Sequence, residues 1–92
     1  MKIHVKAFAY FRDILGKDLD VDLEQGSTVE DLLRNLVYAN YRLGLAIFND
    51  VGELRAHVII MKNRKNIDHL NGLRTCLTDG DEVAILPPVT GG

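Results

Sequence analysis

The chain has 92 residues, 26% charged and 47% apolar, with a formal net charge of −2. That length makes one domain whose single core is adequate but not generous. Mixed charges without a biased tract give no reason to expect nucleic acid, and no apolar run approaches the ~20 residues of a membrane span.

Residues 2–9 alternate as a half-buried strand does, with Ile3, Val5, Ala7 and Ala9 on one face and Lys2, His4, Lys6 and Phe8 on the other. The charges of Lys2, His4, Lys6 and Arg12 interrupt this start, which lacks the continuous apolar stretch of a signal peptide. Phe8 breaks the polar side of the pattern; packing at a strand end explains one such aromatic about as well as a partner site does. Residues 11–17 read as a connection, with Gly16 at a left-handed turn position. Leu19, Val21 and Leu23 then alternate with Asp18, Asp20, Asp22 and Glu24, a second strand with an acidic outer face, and the two strands read as an antiparallel hairpin.

Gly26-Ser27-Thr28-Val29-Glu30 opens a helix, with Ser27 and Glu30 spaced for a capping box and Asp31 favoured by the helix dipole. Val29, Leu32, Leu33, Leu36 and Val37 follow at helical spacing as one apolar stripe. Residues 41–55 fit either a brief helix or an irregular packed segment, closing on the turn Asn49-Asp50-Val51-Gly52. Residues 56–62, with the run Val58-Ile59-Ile60-Met61, suit a strand buried on both faces or covered by a partner. The basic stretch Lys62-Asn63-Arg64-Lys65-Asn66 reads as a solvated turn in preference to a binding patch. The lone Cys76 excludes an internal disulfide and suits a reducing cytoplasm; among apolar neighbours it reads as a small buried hydrophobe in preference to a reactive thiol. His4, His57 and His69 show no metal-ligand spacing with it, and neither a Gly-rich phosphate loop nor a Ser/His/Asp pattern is present. Catalytic equipment is absent.

Asp79-Gly80 makes a tight turn into a last strand, Val83-Ala84-Ile85-Leu86. Pro87 and Pro88 end sheet pairing, since proline fixes φ and has no N–H, and they project an extended arm through Val89, Thr90, Gly91 and Gly92. At about 3.3 Å per residue that arm could reach roughly 20 Å. A Gly-Gly end lacks Cβ atoms and can approach another surface closely, although chain ends also fray whatever their function. The expectation is a domain over residues 1–86 and a tail over residues 87–92. Runs of strands with one main helix indicate an α+β domain with a mixed sheet and the helix on one face. The first and last strands, parallel at the centre, would give a β-grasp arrangement with Ile3, Val5, Val21, Leu23, Val83 and Ile85 in the core.

The segments Phe8-Ala9-Tyr10-Phe11-Arg12-Asp13-Ile14-Leu15-Gly16, Leu77-Thr78-Asp79-Gly80-Asp81-Glu82-Val83-Ala84 and Pro87-Pro88-Val89-Thr90-Gly91-Gly92 together resemble the ubiquitin-like small subunit of molybdopterin synthase. The middle, about residues 40–76, looks closer to small archaeal-type sulfur carriers or modifiers. The resemblance implies that a ubiquitin-activating-type adenylyltransferase, using ATP and magnesium, adenylates Gly92, and that a sulfurtransferase or other sulfur source then makes a thiocarboxylate. The large synthase subunit would take in the tail, Pro87, Pro88, Val89, Thr90 and Gly91 threading Gly92 to its active site for molybdopterin synthesis. The chain itself would be no enzyme and bind no cofactor or metal. A modifier joined through Gly92 to target lysines, and a β-grasp binding module with an incidental Gly-Gly, are the alternatives. Ile85 and Leu86 stand where many synthase subunits carry aromatics before Pro-Pro, which leaves partner identity open. With the first and last strands as neighbours, the alternation puts Phe8 and Leu86 on one outer face, with Met61 or Ile59 beside them, as a partner surface; Arg12 resembles a family arginine at its rim that would pair with an acidic group on a partner, and is also readable as a solvated loop residue.

Overall fold

The computed structural model describes residues 1–88. Apolar–polar alternation produces strand β1, Lys2–Ala7, with Ile3, Val5 and Ala7 buried. The strand stops short of Ala9, which is exposed and has a φ of 54° instead of facing inward. A backbone in that region cannot continue the pleat.

Residues 11–17 are not a bare connection. They contain most of helix α1, Tyr10–Leu15. Phe11, Ile14 and Leu15 stand at i, i+3 and i+4; Phe11 is fully buried and the other two pack against the core. So short a helix is stabilised by that packing and not by intrinsic propensity. It closes on Gly16, whose φ of 86° matches the expected turn position. Strand β2, Asp18–Asp22, returns antiparallel to β1, with Ile3 opposite Val21 and Val5 opposite Leu19.

Helix α2, Val29–Ala39, buries Val29, Leu32, Leu33 and Leu36, with Val37 half-buried, as the stripe requires. Its capping box forms one residue later than Ser27–Glu30. The Thr28 hydroxyl accepts from the Asp31 N–H at 3.3 Å, and the Asp31 carboxylate accepts from the Thr28 N–H at 2.9 Å. The shift has a tertiary cause: the Ser27 carbonyl accepts from the Leu77 N–H at 2.9 Å and Thr28 bridges Cys76, which keeps the backbone extended through Thr28. Glu30 instead pairs with Arg34 at 3.0 Å.

Both readings of residues 41–55 apply in part. Helix α3, Tyr41–Ile47, buries Leu43 and Ile47, and an irregular turn follows, closed by a bridge between Phe48 and Leu54. Asn40 joins α2 to α3: its side chain accepts from the Arg42 N–H at 3.2 Å and donates to the Ile14 carbonyl at 3.1 Å. The two helices approach closely at Gly44, where a Cβ would lie 2.8 Å from Val37 Cγ1.

Strand β3, Ile59–Lys62, begins later than residue 56 and is not buried on both faces. Ile60 is buried, whereas Ile59 and Met61 are half-buried. It turns through Asn63 and Arg64, at φ of 48° and 71°, into β4, Lys65–Asn66. Two positive φ values in a two-residue loop match the right-handed twist of a hairpin. Cys76 is exposed, contrary to its reading as a buried hydrophobe. In the extended segment around it the flanking Thr75 and Leu77 take the inward positions, so alternation turns the thiol outward.

Strand β5, Glu82–Leu86, completes a five-stranded sheet in the order β2-β1-β5-β3-β4. The β1–β5 pair is parallel, with Val5 opposite Val83 and Ala7 opposite Ile85; the other pairs are antiparallel. This mixed sheet with its helices on the buried side is the expected β-grasp, α+β architecture. Ile3, Val5, Val21, Val83 and Ile85 share one core with the α2 stripe, while Leu23 is only half-buried against it.

Leu33 is 0% exposed. Leu33→Ala is expected to lower unfolding free energy by about 2–5 kcal/mol, as large-to-small core substitutions do, read from denaturant midpoints at unchanged slope.

Candidate functional site

The outward side chains of the central strands form two rows. In one, Leu86 of β5 lies opposite Ile59 of β3, and Phe8, one residue past β1, donates its N–H to the Ile85 carbonyl at 3.1 Å. In the other, Ala84 of β5 has Lys6 on one side and Met61 on the other. Phe8, Leu86, Ile59, Met61 and Ala84 are all half-buried, while their chain neighbours Ala7, Ile85 and Ile60 are buried beneath the sheet. The outer face therefore carries a contiguous apolar strip where β5 ends. Exposed strips of this kind mark interaction sites.

Helix α1 brings Arg12 over this strip. Its guanidinium stands 5.7 Å from the Phe8 ring centroid, and its Nε donates to the Ala7 carbonyl at 3.2 Å. A cation over an aromatic face is held by the ring quadrupole as well as by the hydrogen bond. Arg12 is thus positioned at the rim despite being exposed. Pro87, half-buried, and exposed Pro88 continue from β5 beside the strip. Val89, Thr90, Gly91 and Gly92 lie outside the described residues.

The structure brings together Phe8, Leu86, Met61 and Arg12. Residues that the sequence reading left out are Ala84, and Lys6 and Lys17 beside Phe8; Ile59, named there only as an alternative to Met61, lies opposite Leu86. Ile59 and Met61 both take part because alternate residues of one strand share a face; the apolar run of β3 has no alternation to show which face that is, and only the β3–β5 register places Ile59 opposite Leu86 and Met61 opposite Ala84. Among the described residues, no cluster of three or more His, Cys, Asp or Glu is placed to hold a metal ion. Nor is any helix there long and apolar enough to cross a membrane.

Away from the strip, the same face turns polar. His4 of β1 sits between two β2 carboxylates, Nδ1 at 2.8 Å from Asp20 Oδ1 and Nε2 at 3.1 Å from Asp18 Oδ1. Hydrogen bonding to Asp20, then to Asp18, raises the imidazole pKa above its ordinary value of 6.5, because both ring nitrogens meet acceptors when protonated.

A five-stranded mixed sheet with a parallel central pair and a covering helix defines the ubiquitin-like β-grasp fold class. Residues 5–92 match the ThiS family. The chain is 38% identical over 93 residues to small archaeal modifier protein 3 of Haloferax volcanii, covering 100% of both chains. It is 38% identical over 90 residues to the molybdopterin synthase sulfur carrier subunit of Escherichia coli, covering 98% of this chain and 99% of that one. The crystal structure of SAMP1 from Haloferax volcanii superposes with a TM-score of 0.87 at 33% identity, covering 100% of both chains. The chain belongs to the ThiS family of ubiquitin-like sulfur carriers and modifiers.

His4 yields a pH prediction. Its pKa is raised on folding, so the stability it contributes is fully present below the unfolded imidazole value, about 6.5, and is lost as pH rises through the higher folded value. NMR titration of the His4 ring is expected to give a pKa above that of an unfolded peptide. Asp20→Asn should lower it more than Asp18→Asn; an unshifted ring would remove the two carboxylates as partners.

Proposed function

We propose that this chain is a cytoplasmic sulfur carrier and the small subunit of a molybdopterin synthase, with Gly92 as the reactive residue. The observation that supports this reading best is the apolar strip beside the exit of β5, taken with the similarity to the Escherichia coli carrier subunit over nearly the whole of both chains. In this reading an adenylyltransferase partner supplies ATP and magnesium, and the chain binds neither. A carboxylate, with a pKa of about 3.5, is an anion at neutral pH and resists nucleophilic attack. Its oxygen attacks the α-phosphorus of ATP and pyrophosphate leaves. A sulfide-level donor, delivered by a sulfurtransferase, then attacks the carbonyl carbon of the acyl-adenylate and AMP leaves, giving a thiocarboxylate. The large synthase subunit receives Gly92 along Pro87, Pro88, Val89, Thr90 and Gly91, with Phe8, Leu86, Met61 and Arg12 forming the docking surface.

A second reading, conjugation of Gly92 to target lysines, is favoured by the 38% identity to a small archaeal modifier protein. Both readings require the same activated Gly92. They separate in cells of origin. Intact mass of the isolated chain, raised by the difference between sulfur and oxygen, marks the thiocarboxylate. A Gly-Gly remnant on lysines of other proteins marks conjugation. Deleting Gly92 is expected to abolish both while leaving the melting temperature unchanged, since among the described residues the core ends with Ile85. A fall of several degrees would show that the tail is part of the folded unit.

The docking surface is tested separately. Phe8→Ala and Leu86→Ala are each expected to weaken binding to the adenylyltransferase by about 1–3 kcal/mol, as interface anchors do, with melting little changed. Unchanged affinity in both variants removes the strip from the interface.

A further inference from the structure

We infer that the outward face of α2 and α3 around Tyr38, Tyr41 and Leu45 is a self-association surface, and that it pairs with the same face of a second copy of this chain. The inference is independent of the docking strip, which lies on the other side of the sheet. Tyr38 is 95% exposed, Tyr41 74% and Leu45 67%, although each is a large side chain that gains from burial. Tyr41 and Leu45 stand at i and i+4 on α3 and so share one face. Tyr38 closes the outward row of α2, formed by exposed Asp31, Arg34, Asn35 and Tyr38 at i, i+3, i+4 and i+7. The two tyrosines flank the junction at Asn40, and the helices they stand on are held in one relation to each other. Gly44 lets α3 pack on Val37 of α2, and the Asn40 side chain ties the junction to α1 by donating to the Ile14 carbonyl at 3.1 Å. The rings are thus carried outward on a fixed corner of the helical layer.

Charge and area favour a second copy as the occupant. A two-fold interface repeats every contact, so its surface must complement itself. Here Asp31 opens the α2 row, Arg42 lies past its end, and the tyrosines stand between them. Two such rows set antiparallel bring the rings together near the axis and Arg42 of each copy towards Asp31 of the other. Both charges are available for this. Arg42 is exposed and takes part in no ion pair among the described residues. Asp31 receives both bonds from Thr28 on Oδ2, at 2.9 and 3.1 Å, and its Oδ1 accepts none among the described residues. Glu30 and Arg34 already pair with each other at 3.0 Å. A purely acidic or purely basic partner would set one of the two free charges against its like. Two tyrosines and a leucine exposed to this degree present about 500 Å², within the range of functional patches on monomers. The polar side chains around them bring each copy towards the ~800 Å² per partner of a stable complex. Pairing through the helices leaves the outer face of the sheet open in both copies, so the dimer would present two docking strips.

The experiment is sedimentation equilibrium of the full-length chain, with loading concentrations up to about 1 mM to cover a Kd of roughly 0.1 mM, as suits an interface at the small end of the size range. A monomer–dimer equilibrium is expected. Tyr38→Ser and Tyr41→Ser, at exposed positions, should each raise Kd about tenfold, as loss of an interface anchor does, with melting unchanged. Arg42→Gln and Asp31→Asn should each raise it about threefold, the scale of an exposed ion pair; asparagine keeps an acceptor for the helix cap. The double variant should be no weaker than either single one, because the two residues face each other across the interface. A chain that stays monomeric over the whole range overturns the inference and would leave this face to a different protein. So does association that survives both tyrosine variants and is lost in Leu86→Ala, which would place the contact on the sheet strip. Additive effects of Arg42→Gln and Asp31→Asn would overturn the two-fold arrangement. No activating enzyme takes part, so a chain that never forms a thiocarboxylate would leave the outcome standing.

Discussion

The carboxylate of Asp81 fixes where the last strand begins, and the outer face depends on that. Asp81 is buried, accepts from the Thr78 N–H at 2.8 Å and from Asn63 Nδ2 at 2.9 Å, and lies 3.6 Å from Lys62 Nζ. Burial alone would raise its pKa, but these hydrogen bonds and the Lys62 charge outweigh it and hold the carboxyl below its ordinary value. The folded pKa is depressed, so the contribution is present above the unfolded carboxylate pKa and fades as pH falls through the folded one. Around this charge three segments meet. The Asp81 carbonyl accepts from the His4 N–H at 2.9 Å, and Asn63 accepts in turn from the Glu82 N–H at 2.9 Å. The start of β5 is thereby registered on β1 and on the β3–β4 hairpin together. A slip of one residue would exchange Ile85 for Leu86 and turn the core side chain out.

The parallel pairing of β1 and β5 explains how residues from opposite ends of the sequence share a surface. Parallel strands need a long crossover, and here the crossover carries α2, α3 and the β3–β4 hairpin. The inner face is occupied by the α2 stripe, and among the described residues no helix covers the outer face of the central strands, whose side chains are half-buried. The acidic edge strand β2 and the basic β3–β4 turn flank it with opposite charge, and charged edges discourage pairing with another sheet. Apolar area is concentrated between them, near the exit of β5.

Elements with a strong period were legible in the sequence. The alternation of Ile3, Val5 and Ala7 and the stripe from Val29 to Val37 gave β1 and α2 directly, and the Asp79-Gly80 turn announced β5. Helix α1 was missed because its apolar spacing spans little more than one turn; Phe11 declares itself only through burial. The cap shift from Ser27 to Thr28 and the exposure of Cys76 share one cause, the bridge between Thr28 and Cys76, a contact between distant segments that no local pattern encodes. The site divides in the same way. Phe8 and Leu86 follow from alternation plus one guess about strand order. Ile59 needed the β3–β5 register, and Lys17 needed the tie between Lys17 and Ala7.

The proposed carrier role follows from a separation that this fold makes physically simple. Among the described residues the core closes at Ile85, and the residues after β5 begin with two prolines that cannot extend the sheet. In the proposed role, the acid, base and oxyanion stabilisation for chemistry at Gly92 would be supplied by the protein that receives the tail. Discrimination between sulfur transfer and conjugation then cannot reside in Gly92, which is common to both. In the proposed role it would reside in the surface that a partner contacts. In this chain that surface includes the aliphatic pair Ile85-Leu86 at the strand exit. Ile85 is buried and unavailable for contact. That leaves Leu86, half-buried on the outer face opposite Ile59, as the member of the pair open to a partner.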